Sequence, residues 1–245
     1  MITNCFTNFI QIIDIPDLVA AFLSFLIYVL SFMGSKNEMY TPPDDSNINF
    51  PNSIELKLSV NIFYIYIVSC PLIFLLLKIA ANFFFTNLIQ NFRYFTFLWV
   101  SAASTFLSLA IVNYFRYFIG FPKPDTYDLC NYDFYSKKCK KKIINKSDIF
   151  NSYPSFESVI VMSTMSNLAF AFQNIFCSFN SLYVILIFLG IYVGTLNIKT
   201  FKSHPADVTA SLLIGFLVSH YFWNNSKKRI LIHEENIRPY QSIYN

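Results

Sequence analysis

The chain has 245 residues, of which 55% are hydrophobic, 19% aromatic and only 13% charged. A soluble domain carries roughly twice that charge, so a soluble globular fold is excluded. The net charge of +4 sits in a few loops and forms no basic stripe, which excludes a nucleic-acid-binding surface.

Apolar runs near the length that crosses a bilayer recur six times. This predicts an all-α, polytopic membrane protein of six transmembrane helices. Residues 1–17 mix Phe and Ile with polar side chains and hold no Lys, Arg or small-residue cleavage site, so no removable signal peptide is expected. Pro16 and Asp17 suit a first helical turn and its dipole, and the first span is expected over 18–34. A polar loop from Lys36 to Lys57 leads to a second span over 59–77, with Pro71 inside it. A Phe- and Asn-rich connector then reaches the third span, 94–114.

The third span delivers Arg116, and Gly120, Pro122 and Pro124 are expected to stop the helix just beyond it. Arg116 and Lys123 thus leave the membrane together, seven positions apart. A guanidinium offers paired donors to phosphate and a lysine a point charge, so the pair is a candidate anion clamp. As interfacial anchors they would instead snorkel to headgroups. The loop that follows holds six lysines, together with Cys130, Cys139 and Asn145. The fourth span, 158–176, carries Ser163, Thr164, Ser166, Asn167 and Gln173, which predicts that it packs inside the bundle, where polar side chains find partners. The fifth span covers 181–196 and the sixth 205–223. The tail, 224–245, begins with Lys227, Lys228 and Arg229 at the membrane, as a cytosolic stop often does.

Six spans place the ends after spans one, three and five on one side. Arg116 and Lys123 would therefore face Pro154-Ser155-Phe156-Glu157 at the start of span four, and the stretch from Asn197 to Val208 at the start of span six. Taken singly, these are ordinary helix starts: Ser155 suits an N-cap with Glu157 favourable to the dipole, and Ser203-His204-Pro205 with Asp207 suits another.

Taken together, the three stretches resemble the signature motifs of the type 2 phosphatidic acid phosphatases, or lipid phosphate phosphatases. Those motifs read Lys-x6-Arg-Pro, Pro-Ser-Gly-His and Ser-Arg-x5-His-x3-Asp, and the resemblance spans roughly Tyr94 to Trp223. In the first motif Arg116 and Lys123 exchange places and Pro124 matches. In the second, Pro154 and Ser155 match, while Phe156 and Glu157 replace Gly and the His that serves as general acid. Glu157 could donate that proton only if burial kept it protonated. In the third, Leu196, Asn197 and Ser203 stand at the Ser, the Arg and the nucleophilic His, and Asp207, which in the family orients that His, is kept. Ser203 lacks both the nucleophile and a neighbouring base for the family's phosphohistidine chemistry. His204 is the substitute nearest in sequence, its ring displaced by about 100° in the helical turn.

The resemblance implies a six-span domain over 18–223 with membrane lipids such as phosphatidate as partners, and neither a cofactor nor a metal is expected. Three functions are compatible with the residues: a phosphatase impaired by Ser203, a pseudophosphatase that binds lipid phosphate or a membrane partner without turnover, and, more distantly, a headgroup transferase. Orientation is contested. Twelve Lys and Arg fall on the motif side and six on the other, which favours cytosolic motifs. The sequon at Asn145 and a possible Cys130–Cys139 disulfide favour a luminal or extracellular face, and the family resembles that case. A luminal or extracellular motif face is the expectation, in the endoplasmic reticulum or plasma membrane.

Overall fold

A computed structural model describes residues 15–33, 93–133, 135, 138–139, 151–175 and 180–231. They form α1 (Ile15–Ser31), α2 (Tyr94–Ile119), a short α3 (Thr126–Cys130), β1 (Tyr132–Asp133), β2 (Lys138–Cys139), α4 (Phe156–Ile175), α5 (Asn180–Lys199) and α6 (Pro205–Ile230). The two short strands pair antiparallel, Tyr132 opposite Cys139. The expected second span, the lysine loop with Asn145, and the tail beyond 231 lie outside the described residues.

Helix α4 is the centre of the bundle, packed on α5, α6 and α2, with α6 also against α2 and α1 along α2. Its Ser163, Thr164, Ser166 and Asn167 are buried, as expected of a polar inner helix, whereas Gln173, near its last turn, is exposed. Hydroxyls join three helices there: Ser163 Oγ lies 3.2 Å from Thr105 Oγ1 on α2 and 3.0 Å from Ser219 Oγ on α6. Asn167 Nδ2 donates to Ser104 Oγ at 2.8 Å. In a bilayer these bonds tie helices that apolar packing alone would not orient. Gly215 lets α6 close on α4, because a Cβ there would meet Val159 O at 2.9 Å.

Among the described residues three helices, Tyr94–Ile119, Ser181–Lys199 and Pro205–Ile230, are long and apolar enough to cross a membrane, and α1 is a shorter apolar helix. Large apolar side chains stay exposed on the outer faces of α1, α5 and α6, Phe22, Phe188 and Leu217 among them. That pattern suits lipid and not water, and marks an integral membrane protein. Asp17 on α1 is paired with Arg229 on α6 at 2.6 Å, with Ser226 Oγ donating to the same carboxylate. At that end Arg93 N also donates to Ile230 O at 2.9 Å. Asp17 therefore ties two helices in addition to suiting its own helix dipole.

Helix ends shift by a few residues from the expected spans throughout, most at the C-terminal ends of α2 and α6. Helix α2 runs on to Ile119, so Arg116 lies inside its last turn, and α6 runs on to Ile230, taking in Lys227, Lys228 and Arg229. Both extensions are polar or aromatic, so hydropathy ends before the hydrogen-bonded turns do.

Candidate active site

The site sits at the end of the bundle opposite the Asp17–Arg229 pair, where the last turns of α2 and α5 meet the first turns of α4 and α6. Each of the two arriving helices is stopped by a left-handed residue. Gly120 ends α2 with φ 63° and returns its N–H to Arg116 O at 3.0 Å. Phe201 does the same after α5 with φ 54°: Lys202 N reaches Asn197 O at 3.0 Å and Phe201 N reaches Ile198 O at 3.1 Å. This is the two-bond ending usually built on glycine, here adopted by a phenylalanine against its preference. The turn is short, and Ser203 N also donates to Asn197 O at 3.3 Å. Ser203 is thereby held at the mouth of α6.

His204 is the N-cap of α6, in extended backbone, with Pro205 next. Asp207 in the first turn accepts from His204 N at 2.9 Å, the carboxylate half of a capping box. The same Asp207 oxygen accepts from Ser152 Oγ, a contact reaching back 55 positions. The His204 ring turns away from Asp207: its Nε2 lies 3.2 Å from Pro122 O and the ring packs edge-on to Phe121, centroids 5.1 Å apart. Thus Asp207 orients no imidazole here.

Main-chain bonds stitch the three stretches together. Ser152 N donates to Phe121 O at 3.0 Å, and Ser155 N to Asp207 O at 3.2 Å. Arg116 Nε donates to Asn151 O at 2.9 Å while its guanidinium lies 5.4 Å from the centre of the Phe156 ring. Phe156, which stands at the family's glycine, therefore serves as a platform for that cation. Ser158 Oγ donates to Ser155 Oγ and to Gly194 O, each at 3.0 Å, and Asn197 Nδ2 reaches Ser158 Oγ at 3.2 Å. The Asn197 amide thus donates to a buried hydroxyl.

Arg116, Lys123, Ser155, Ser203, His204 and Asp207 therefore sit on elements joined at one end of the bundle. Lys123 and Glu157 are partly exposed, whereas Ser155, Ser203 and Asp207 are buried. Ser203 Oγ makes no hydrogen bond among the described residues. Cys130 ends α3, two positions before Tyr132 of β1, and Cys139 lies in β2 opposite Tyr132.

Sequence reasoning missed Ser152, Ser158 and the position of Asp125. Asp125 follows the clamp lysine by two positions, is only 5% exposed, and its Oδ1 has no hydrogen-bond partner. Burial raises its pKa above the ordinary 3.8, against the pull of Lys123 and Lys202. No local pattern announces such a carboxylate; only the packing around α3 creates it. Chemically, the ensemble offers cations and polar groups for an oxyanion, and among the described residues no carboxylate is hydrogen-bonded to an imidazole ring.

The family model of the PAP2 superfamily matches residues 93–231, the stretch that carries all of these groups. No curated protein and no solved structure matches the chain.

Proposed function

The chain belongs to the PAP2 superfamily, and from that premise we propose that it holds the phosphate of a phosphatidate-type membrane lipid between Arg116 and Lys123, with phosphatase chemistry impaired by Ser203. The observation that carries this reading is the joining of the three motif stretches at one bundle end, Arg116 to Asn151 and Ser155 to Asp207. Superfamily membership supports a lipid phosphate as the substrate class. Arg116, braced by Phe156 and the Asn151 carbonyl, supplies a guanidinium charge toward an oxyanion, and Lys123 supplies a second charge.

Impairment follows from three replacements. Ser203 offers a hydroxyl without a neighbouring base, Asn197 offers no charge to the phosphoryl oxygens, and Glu157 offers a carboxylic acid where an imidazole would protonate the leaving alkoxide. A second reading, binding without any turnover, is favoured by Asp207, whose Oδ2 is engaged by Ser152 and the His204 N–H. The proposed location is the endoplasmic reticulum or plasma membrane, with the motif face luminal or extracellular, the reading that the Asn145 sequon and a possible Cys130–Cys139 disulfide favour.

The test is phosphate release from phosphatidate by the full chain in detergent without added metal, beside Ser203→His, Asp207→Ala and Arg116→Ala with Lys123→Ala. Slow release that Ser203→His raises, and that loss of the two cations abolishes together with phosphatidate binding, is the expected result. No release by the native chain with intact binding selects the second reading. Phosphatidate binding that survives removal of both cations overturns the clamp.

A further inference from the structure

At the far end of α6 from the candidate site lies a second cavity of about 470 Å³, enclosed by the last turns of α4, the start of α5 and the last turns of α6. Its floor is aromatic. Phe170 and Trp223 are 4% and 3% exposed and stacked, centroids 6.0 Å apart, while Tyr183 and Phe216 each lie 5.9 Å from Phe170. Its rim is polar: Gln173, His220, Asn224 and Lys227 line it and are all exposed. The His220 ring stacks on Phe216, centroids 6.0 Å apart, and Asn224 Nδ2 lies 3.2 Å from its Nε2. The imidazole is therefore held in place before any ligand arrives.

Helical spacing explains why these groups converge. Phe216, His220, Trp223, Asn224 and Lys227 follow one another at three- and four-residue steps along one stripe of α6. From His204 to His220 the helix rises about 24 Å, so the cavity belongs to the opposite half of the bilayer. No Asp or Glu lines it among the described residues. Among the described residues at this end of the bundle, the carboxylate of Asp17 is engaged by Arg229 and Ser226.

We propose that this cavity binds the phosphate-bearing headgroup of an anionic lipid from the leaflet opposite the candidate active site. Four features argue for that ligand class. Among the described lining residues the full charge is cationic, that of Lys227, and the amide and imidazole groups beside it add donors for phosphate oxygens. Its volume lies within the range of small-molecule sites, about 300–1,000 Å³. An aromatic floor with a polar rim matches the boundary between headgroup and acyl chain, where amphipathic rings settle. Finally, the neighbouring outer faces expose Leu217 and Tyr221 on α6 and Val184 and Phe188 on α5, a surface along which a lipid reaches the opening. This site is independent of the clamp at Arg116 and stands or falls without it.

Trp223 reports on the cavity directly. The chain has two tryptophans, so Trp99→Phe leaves Trp223 as the sole emitter in the full-length protein in detergent. Titrating mixed micelles of phosphatidate should change its emission saturably, and micelles of phosphatidylcholine should not. Lys227→Gln and His220→Ala, both at exposed positions, should each weaken the phosphatidate response at least tenfold while the melting temperature stays within about 2 °C of the parent. Adding Arg116→Ala should leave the response unchanged, which separates the two sites. A response of equal size to inorganic phosphate alone would assign the cavity to a soluble anion and overturn the lipid. An equal response to phosphatidylcholine, or one that neither rim variant moves, would overturn the anion site altogether.

Discussion

Asp207 is kept from the family pattern, yet in this chain it holds a serine hydroxyl and a main-chain N–H in place of an imidazole, so its removal should be felt first in stability. It is 1% exposed, and so is Ser152. The carboxylate accepts from Ser152 Oγ and, at 2.9 Å, from His204 N. A hydrogen bond to a charged group is worth about 1.5–3 kcal/mol net, so two of them amount to about 3–6 kcal/mol. Asp207→Ala also leaves the Ser152 hydroxyl buried without its acceptor, which places the loss in the upper part of that range. For a chain of this size about 1 kcal/mol corresponds to about 2–4 °C, and the variant should melt roughly 10–20 °C below the native protein in the same detergent. Asp207→Asn, which keeps one carbonyl acceptor, should lose less. The double variant with Ser152→Ala should lose less than the sum of the singles, since both remove the same bond. Asp207→Ala melting within about 2 °C of native would refute the reasoning, and would return Asp207 to a role exercised only with substrate bound.

Two further predictions concern the loop beside the clamp. Burial favours the neutral form of Asp125, so its folded pKa lies above its unfolded value of 3.8. Its stabilising contribution is complete below pH 3.8 and is lost as pH rises through the raised folded value. A melting series across the acid range should show that decline, and Asp125→Asn should flatten it; an unchanged slope would remove Asp125 as its source. If the motif face lies in an oxidising compartment, peptides carrying Cys130 and Cys139 should run linked in a non-reducing digest of membrane-derived protein, whereas free thiols at both positions would place that face in the cytosol.

The helices were legible because each carries a local signal. Gly120 and the prolines after Arg116 end α2, and the order His204, Pro205, Asp207 spells a helix start that the structure realises bond by bond. The joining of the three motif stretches was legible too, but through topology: alternate spans return to one face. Contacts between residues far apart in the chain were not. Ser152 and Asp207 stand 55 positions apart, and no periodicity relates a loop serine to a helix carboxylate. The direction of the His204 ring was equally hidden, since spacing alone would place it on the face of Asp207. Its N-cap backbone, extended and not helical, sends it to Pro122 instead.

Those hidden contacts bear on how this end of the bundle is held together. With a histidine at position 203, the Asp207 carboxylate would have an imidazole to orient. With Ser203, a buried carboxylate would be left short of donors, at a cost of several kcal/mol. Ser152 supplies a donor from the neighbouring stretch and the His204 N–H supplies another. Asn197 likewise replaces a buried cation with an amide that Ser158 satisfies. Each replacement therefore arrives with a partner that completes it, and the network left behind is neutral apart from Asp207 and the cations at its rim. Such a network ties the motif stretches together around Arg116. Restoring Ser203→His alone consequently sets the new imidazole in competition with Ser152 for Asp207. The pair Ser203→His with Ser152→Ala should recover more phosphate release than Ser203→His by itself.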